Sequence, residues 1–584
     1  MDNSPDSSSL DKLAPFRRRF FDSADIFTYI GSGGIGGKAQ GLAFIKEALL
    51  TRVNPEDFPG ITVDIPRLTV LATDIFDTFI KRNNLYEIAL SDARDDQLAL
   101  AFQKADFPAE FLGDLRSISD KVHSPLAIRS SSQFEDAMHE PFAGVYGTKM
   151  IPNNQFDPDA RFRILIEAIK FVYASTFFKE AKEYIKTTGQ SAENEKMAVI
   201  IQEVVGLRHD ERFYPSISGV ARSYNFYRTG HARPEDGVVD LALGLGKTIV
   251  DGGKAFTYSP AYPKANPPYK NIGDMLKQTQ TEFWAVNMGK APAYDPIKET
   301  EYMVICDLKA AEYDGTLNHI ASTYQPQNDR LMPGMYGNGP RILTFAPLLT
   351  FDDIPYNGLI KFILKLCEEV VGHEVEIEFA MNLDSEKGVP ARFGFLQVRP
   401  MFVSHARVDL AEDALSGPDA ILASDQVLGN GIIGNISDIV MMKIESFTEK
   451  QSFIIANELE VANQHLSSEG RPYLLIAFGR LGTTDPPFGI PVGWWQISGA
   501  KIIAEVSMAD SGIELSQGSH FFHNVISSQV GYFSVHRNSR YPVNWKWLND
   551  QPVAVETDYI KHLRLGSPLK IKIDGTSSRG VIAI

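Results

Sequence analysis

The sequence predicts an α/β (α+β) protein with several domains. Short apolar strands alternate with amphipathic helical runs, and glycine-rich turns separate them along the chain. The length of 584 residues suffices for roughly three or four domains of about 150 residues each. Apolar residues make up 44% of the chain and charged residues 22%, which is ordinary for a globular protein with an ample core.

The composition argues against several classes of protein. A formal net charge of −16 disfavours a general nucleic-acid binder, whose phosphate contacts need a basic surface. The only cysteines, Cys306 and Cys367, provide neither a disulfide framework nor a cysteine metal site. No apolar run reaches the roughly 18 residues of a membrane helix, and the polar first residues do not resemble a secretory signal. We therefore expect a cytoplasmic protein without nucleic-acid or membrane partners.

Two segments of the N-terminal half have the composition of phosphate-binding loops. Five glycines lie between residues 31 and 37, and Lys38 and a helix-forming run follow them. Glycine lets backbone N–H groups approach an anion, although a glycine cluster alone is as typical of a flexible turn. The segment is not a P-loop, because Ala39 follows the lysine. Further along, Arg129 stands between an apolar strand and three serines, which suits phosphate oxygens.

The segments between these loops and the middle of the chain are predicted mainly as scaffold. Residues 65–83 read as a strand followed by a helix, with Thr73 as its N-cap and Asp74 in its first turn. Gln202 interrupts a strongly apolar strand at residues 197–206. Its amide either satisfies a hydrogen bond within the fold or reads the edge of a nucleotide base.

The segment from residue 374 to 401 predicts a β-hairpin with one polar face. Two alternating apolar runs flank a turn-rich stretch, which is the pattern of paired antiparallel strands. Glu376 and Glu378 lie two positions apart in the first run, so both point to the same side of the strand. Gln397 and Arg399 have the same spacing in the second run. Because such oxygens suit Mg²⁺ and a polyphosphate needs the metal and the guanidinium, the hairpin predicts a metal–phosphate site.

The changes in composition divide the chain into five predicted parts. These are a disordered tail (1–25), an N-terminal subdomain (26–215), a C-terminal subdomain carrying the hairpin (216–405), a polar linker (406–425) and a smaller α/β domain (426–584).

The last predicted domain contains two histidines of interest. His520 and His523 lie at a turn that runs into a helix, and two histidines at this spacing could bind a metal. No third ligand lies near them in the sequence, and a buried structural histidine is the alternative reading for either one.

The order of these segments resembles the ATP-binding half of the phosphoenolpyruvate synthase and pyruvate, phosphate dikinase family. The motifs GGKAQGLAF, IPRLTVLATDIFDTF, LAIRSSSQFEDAMHEPFAGVYGT, MAVIIQEVV, ISGVAR, LALGLGKTIVDG and IEFAMNL…FLQVRP follow in the family's order over residues 26–401. The resemblance implies an ATP-grasp fold, Mg²⁺ as a cofactor and transfer of phosphoryl groups from ATP.

The resemblance also implies roles for individual residues. Lys38, Arg129 and Arg399 would hold phosphates and act in catalysis, and Gln202 would lie near the adenine. Glu378 and Gln397 would bind the metal. The full nucleotide-binding set would be Gly36, Gly37, Lys38, Arg129, Gln202, Glu376, Glu378, Gln397 and Arg399.

The chain departs from the family's pattern after residue 425. It leaves no room for the family's pyruvate-binding TIM barrel, and its last domain resembles the phosphohistidine domain only distantly, through LGNGIIGNISDIV and the segment around His520. We expect an ATP-dependent phosphotransferase whose acceptor is His520, a small molecule or a partner protein, with the oligomeric state left open. The alternative is a catalytically inactive, nucleotide-binding regulatory protein.

Overall fold

The computed structural model divides the chain into two compact units. Unit 1 comprises Met1–Ser223, Val238–Ile249 and Lys254–Pro400, and unit 2 comprises Tyr224–Gly237, Val250–Gly253 and Met401–Ile584. The residues that the structure describes are 13–18, 26–133, 135, 144–187, 190–227, 231–265, 269, 271–351, 354–383, 389–404, 408–443, 447–483, 489–507, 520–536 and 539–584.

The strands and helices, numbered in chain order, have the following bounds. The strands are β1 (Ala14–Pro15), β2 (Phe27–Ile30), β3 (Ile61–Asp64), β4 (Leu68–Leu71), β5 (Leu126–Ser132), β6 (Thr148–Ile151), β7 (Met197–Glu203), β8 (Leu207–His209), β9 (Arg212–Tyr214), β10 (Ile217–Arg222), β11 (Val238–Ala242), β12 (Phe256–Tyr258), β13 (Glu282–Asn287), β14 (Met303–Asp307), β15 (Ala321–Gln325), β16 (Arg330–Pro333), β17 (Arg341–Leu343), β18 (Val375–Asn382), β19 (Ala391–Pro400), β20 (Ala420–Ser424), β21 (Val427–Leu428), β22 (Gly431–Met442), β23 (Tyr473–Phe478), β24 (Arg480–Leu481), β25 (Gly489–Ile490), β26 (Ala500–Val506), β27 (Gly531–Val535), β28 (Val553–Glu556), β29 (Ile560–Asp574) and β30 (Arg579–Ala583). The α-helices are α1 (Gly36–Arg52), α2 (Thr73–Arg82), α3 (Tyr86–Ala89), α4 (Asp95–Lys104), α5 (Ala109–Lys121), α6 (Pro158–Ser175), α7 (Lys179–Thr187), α8 (Lys247–Val250), α9 (Ile272–Gln278), α10 (Leu308–Tyr313), α11 (Ala346–Phe351), α12 (Tyr356–Val371), α13 (Glu412–Leu415), α14 (Glu449–Ser468), α15 (His520–Ser527) and α16 (Trp545–Asn549).

Two six-stranded sheets form the framework of unit 1. The first has the order β1-β2-β4-β7-β5-β6 and the second the order β12-β11-β10-β18-β19-β3. Smaller sheets, β14-β13-β9-β8 and β16-β15-β17, complete the unit. Together with unit 2 they confirm the predicted mixed α/β architecture with more than one domain. Of the predicted tail, residues 1–12 and 19–25 lie outside the described residues, and β1 pairs with β2.

Helix α1 links the two large sheets of unit 1. Its buried side chains recur every three or four residues, at Ala39, Leu42, Ile45 and Leu49, which gives the helix an apolar face. It packs against β5 of the first sheet and β19 of the second. The residues at the start of α1 lie against Ser130, Ser131 and Glu135, and Gly41 further along lies against Val398 of β19.

Helix α2 begins one residue earlier than the sequence predicted. Its N-cap is Ala72, and Thr73 is the first helical residue, so the prediction of Thr73 as the N-cap is wrong. The reason is that the Thr73 hydroxyl accepts a hydrogen bond from the backbone N–H of Gly34, at 2.9 Å, instead of capping its own helix. The side chain is thus used to hold the glycine loop.

Unit 2 is built on a nine-stranded sheet of order β20-β30-β29-β22-β23-β26-β27-β21, with β28 paired to β29. The neighbours β22, β23, β26 and β27 run parallel. The apolar segments at 473–478 and 500–506 form β23 and β26, and both are almost entirely buried. The segment predicted as a linker, 406–425, contains α13 and β20, and its apolar residues 420–424 pair with β30.

Helices long and apolar enough to cross a lipid bilayer do not occur among the described residues.

Candidate active site

The predicted hairpin is formed by β18 and β19, which pair in antiparallel fashion. Glu376 lies directly opposite Arg399, and Glu378 lies directly opposite Gln397. Directly opposed residues of antiparallel strands point to the same face, so all four side chains lie on one side of the sheet. Part of the predicted turn, residues 384–388, lies outside the described residues.

A β-bulge interrupts this hairpin beside Glu378. The register shifts between Glu378 and Phe379, whose partners are Gln397 and Phe395, so that Leu396 is the extra residue. A bulged residue leaves the regular ladder, and its carbonyl can turn to another partner. The carbonyl oxygen of Leu396 accepts a hydrogen bond from Arg129, with a distance of 3.1 Å from Nη1.

Arg129, from the first sheet, reaches the polar face of the second sheet. Its Nη1 also donates to Oε1 of Gln202 on the neighbouring strand β7, at 3.3 Å. Its Nη2 donates to Oε1 of Gln397 at 2.6 Å and to Oε2 of Glu378 at 3.3 Å. One guanidinium group thus bridges the two large sheets. The side-chain amide of Gln202 therefore makes a hydrogen bond within the fold, which was the first of the two roles considered for it.

Arg399 lies at the centre of a buried network of ion pairs. Its Nε donates to Oε1 of Glu376 at 2.7 Å, and its Nη2 lies 3.4 Å from Oε1 of Glu378. On the other side, Oε2 of Glu376 lies 3.4 Å from Nε of Arg222, which also contacts Asp240. Burial raises the pKa of Asp240, and the nearby charge of Arg222 opposes this rise.

Sequence reasoning missed Arg222 and Asp240 as members of this network. Both lie within apolar strand segments, β10 and β11, and an isolated charged residue in such a strand was the available signal. Three guanidinium groups (Arg129, Arg222 and Arg399) face three carboxylates (Asp240, Glu376 and Glu378). The formal charges of this network therefore balance.

Lys38 lies in a second group of polar residues at the start of α1. Its Nζ contacts Oε1 of Glu135 at 2.5 Å and the hydroxyl of Ser130 at 3.1 Å. The other oxygen of Glu135 accepts from the backbone N–H of Ser132 at 2.8 Å. Lys38 thus contacts the strand that also carries Arg129, β5, through the residue that follows the arginine. Glu135 was not among the predicted site residues.

The glycine loop before α1 is held by α2 rather than left flexible. The backbone N–H groups of Ser32 and Gly33 donate to Asp74, each at 3.0 Å. At the helix start, a Cβ added to Gly36 would lie 1.8 Å from the carbonyl oxygen of Ser131. Gly37 is equally close to the carbonyl oxygen of Glu135. The two glycines thus allow α1 to approach the end of β5 and the residue Glu135 after it closely.

A further buried carboxyl lies beside this second group. Glu195 is close to Ser132 and Tyr146, and burial raises its pKa to about 8, with the negative charge of Glu135 acting in the same direction. The group is therefore mainly neutral near pH 7. No sequence pattern singled it out.

The donor set fits a hard divalent cation with a phosphate ligand. Glu378 and Gln397 offer a carboxylate and an amide oxygen on one face, and Mg²⁺ is usually bound by one or two carboxylates together with substrate phosphates. Arg129 and Arg399 supply positive charge beside these oxygens. Among the described residues, no three histidine, cysteine or acidic side chains cluster as a self-contained metal site. The phosphates would thus have to complete the coordination.

His520 lies in unit 2, at the first position of α15. The next two residues anchor the helix start: the ring of Phe521 packs against Trp494, and that of Phe522 against Tyr227, with centroids 6.3 Å and 5.8 Å apart. His523 is buried, whereas His520 is partly exposed. Ser519, the residue before His520, lies outside the described residues.

The fold and the charged face of unit 1 are those of an α/β protein that binds a phosphate-bearing ligand. The family model of the AMP/ATP-binding domain of pyruvate phosphate dikinase matches residues 33–415, and the chain belongs to this family. The predicted family membership is thereby confirmed, and ATP or AMP binding is supported. A search of curated proteins finds no match.

Proposed function

We propose that the protein is an ATP-dependent phosphotransferase that binds Mg-ATP between the two large sheets of unit 1, in an ATP-grasp arrangement. The observation that carries this proposal is the meeting of Arg129 from one sheet with Glu378 and Gln397 from the other. Lys38 lies beside the same strand as Arg129. Phosphates and a cation need this combination of fixed positive charge and oxygen ligands.

In this proposal each predicted residue has a defined task. Lys38, Arg129 and Arg399 neutralise the phosphates, and Glu378 and Gln397 hold Mg²⁺, which would offset the charge that develops during transfer. Glu376 orients Arg399 through their ion pair. Gly36 and Gly37 bring the start of α1 to the phosphates, and Gln202 lies on the adenine side. Catalysis of phosphoryl transfer then rests on positioning and electrostatics.

We propose His520 as the first acceptor. A nitrogen of its neutral imidazole would attack phosphorus, forming a P–N bond as the P–O bond to the nucleotide breaks and the nucleotide leaves as an anion. Its position supports this role, since the start of an eight-residue helix favours a bound phosphoryl group. The order of His520, helix α15 and the buried strand β27 agrees with the segment through which the sequence resembles a phosphohistidine domain, and it supports descent of unit 2 from such a domain. A small molecule or protein would then receive the group.

The test is incubation of the full chain with ATP labelled at the β and γ positions. We expect acid-labile, base-stable label on the protein, which disappears in His520→Ala and persists in His536→Ala, a change at another partly exposed histidine of the same unit. Label that persists in His520→Ala would exclude this residue as the carrier, and a screen of acceptors for ATP consumption would then test direct transfer. Saturable ATP binding with no label and no turnover would refute the phosphotransferase proposal.

A further inference from the structure

Arg129 uses the same oxygens that the proposed function assigns to Mg²⁺. Its Nη2 donates to Oε1 of Gln397 at 2.6 Å and to Oε2 of Glu378 at 3.3 Å. The second oxygen of Glu378 faces another guanidinium, that of Arg399, at 3.4 Å. Every carboxylate and amide oxygen named here as a metal ligand therefore already has a cationic donor beside it.

We infer that, in the nucleotide-free protein, Arg129 occupies the oxygens of Glu378 and Gln397 that would bind the metal. The guanidinium releases these oxygens only when the phosphates of a bound nucleotide attract it. This inference rests on the proposed function and adds a regulatory step to it. The site would reject a divalent cation on its own and accept it together with the nucleotide.

The electrostatics of the site explain this order of binding. The three guanidinium groups and three carboxylates of the network balance, and the side chains of Arg129 and Glu378 are only 13% and 16% exposed. A lone divalent cation would add two positive charges to a neutral, largely dehydrated network and would compete with Arg129 for Glu378. Like charges at short range repel strongly where water is scarce. A polyphosphate supplies the missing negative charge and offers Arg129 a bidentate partner of the type guanidinium prefers.

The geometry also shows why the arginine can act without disturbing the fold. Besides the two metal-ligand side chains, Arg129 contacts the Gln202 amide and the carbonyl of the bulged Leu396. These two contacts involve its Nη1, whereas both metal-ligand contacts involve Nη2. The guanidinium is planar and rigid, so both nitrogens move together and all four contacts are exchanged when it turns to the phosphates. None of the four involves the backbone of Arg129, so β5 can keep its pairing with β6 and β7. Arg129 is accordingly a positioning residue for the metal as well as a phosphate ligand.

The experiment measures Mn²⁺ binding to the full-length protein without nucleotide, by the electron paramagnetic resonance of free Mn²⁺. Mn²⁺ replaces Mg²⁺ as a probe because it prefers the same oxygen ligands. We expect wild type to bind Mn²⁺ weakly and Arg129→Met to bind it about 5- to 150-fold more tightly, the usual range of a coupling between two sites. The matched control is Arg392→Met, which removes a guanidinium from β19 that pairs with Asp64. That change should leave Mn²⁺ binding as in wild type.

A double variant locates the ion. Adding Glu378→Gln to Arg129→Met should remove the gain, because the metal then loses its carboxylate. Unchanged Mn²⁺ affinity in Arg129→Met, or a gain that survives the second substitution, would overturn the inference. If Arg129→Met does not fold, as judged by thermal melting, Arg129→Gln carries the same test.

A separate measurement keeps the failure of this inference apart from that of the proposed function. Binding of a fluorescent ATP analogue to wild type in the presence of a metal chelator reports the nucleotide site alone. Nucleotide binding without the Mn²⁺ effect refutes the metal-displacement role of Arg129 and leaves the proposed function standing. Absence of nucleotide binding, with and without metal, refutes both.

Discussion

Glu376→Gln tests whether the buried network holds the hairpin together. The carboxylate of Glu376 lies between Arg399 and Arg222, and the three side chains are only 3%, 3% and 0% exposed. The isosteric amide keeps the shape but removes the negative charge, so two buried guanidinium groups lose a shared counter-charge. Breaking a buried ion pair by removing one member costs about 3–5 kcal/mol. That is a large fraction of the roughly 5–15 kcal/mol that stabilises a domain.

The chain offers a matched control on its surface. Glu412 also lies between two arginines, Arg540 and Arg579, but its side chain is 52% exposed. Exposed pairs contribute about 0–1 kcal/mol, so Glu412→Gln should change stability by less than 1 kcal/mol. Comparing the two substitutions separates the effect of burial from that of the paired charges.

The assay is native-state hydrogen exchange of peptides from β18 and β19, supported by urea denaturation. Exchange is chosen because it reports the opening free energy of this sheet even if the two units unfold separately. We expect the opening free energy of the hairpin to fall by about 3 kcal/mol or more in Glu376→Gln. A loss below about 1 kcal/mol, similar to that of Glu412→Gln, would show that the network is no more stabilising than a surface pair, and the reasoning would fail.

Three further predictions concern other parts of the two units. Glu195→Gln should flatten the pH dependence of stability. Burial holds the pKa of Glu195 in the folded protein near 8, above its unfolded value of 4.5, so wild type loses stability as the pH rises through about 4.5–8, by up to about 1.4 kcal/mol per pH unit. Denaturation of both proteins at pH 5 and pH 8 measures this difference. A variant as pH-dependent as wild type would contradict the assignment. Gly37→Ala should weaken binding of a fluorescent ATP analogue by roughly tenfold or more, because the added Cβ would meet a carbonyl oxygen at 1.8 Å and displace α1. The control is Gly358→Ala in α12, where the nearest neighbour of the added Cβ would lie at 4.0 Å. This change should leave nucleotide binding as in wild type and stabilise the helix by about 0.5–1 kcal/mol. Equal effects of the two would refute the close-packing argument. Gly482→Ala should lower the melting temperature, since its φ is +74° and a Cβ would lie 2.3 Å from the ring of Phe521, and an unchanged melting temperature would count against this packing.

The hairpin could be predicted from the sequence because its signals are local. Alternation in β18 and β19 fixes which side chains share a face of the sheet. The two-residue spacing within each strand therefore places the polar side chains on one face, namely those of Glu376, Glu378, Gln397 and Arg399. The bulge at Leu396 could not be predicted, because it depends on how two strands align in space. Arg129 itself was predicted as a phosphate ligand, but its contacts with the second sheet were not, because those partners lie far away in the chain.

The remaining site residues were missed because their partners are distant in sequence. Glu135 contacts Lys38 only because α1 packs against the end of β5. Asp74 accepts hydrogen bonds from the glycine loop only because α2 lies beside that loop. Sequence reasoning treated the helix of Asp74 as scaffold and the loop as a source of N–H groups for an anion. The structure shows that Ser32 and Gly33 already direct their N–H groups to Asp74. Composition could not reveal that pairing.

The discontinuous make-up of unit 2 has a consequence for how this chain can be synthesised and cut. Phe226 and Tyr227 pack on Phe522, and the carbonyl of Gly252 accepts a hydrogen bond from Arg480, although roughly 300 residues separate the aromatic partners. A ribosome therefore releases parts of this core long before the strands that cover them, and closing so long a loop slows folding. A fragment that starts at residue 401 would lack two pieces of its own interior, so limited proteolysis or gene truncation at that boundary should yield an aggregation-prone product rather than an autonomous domain.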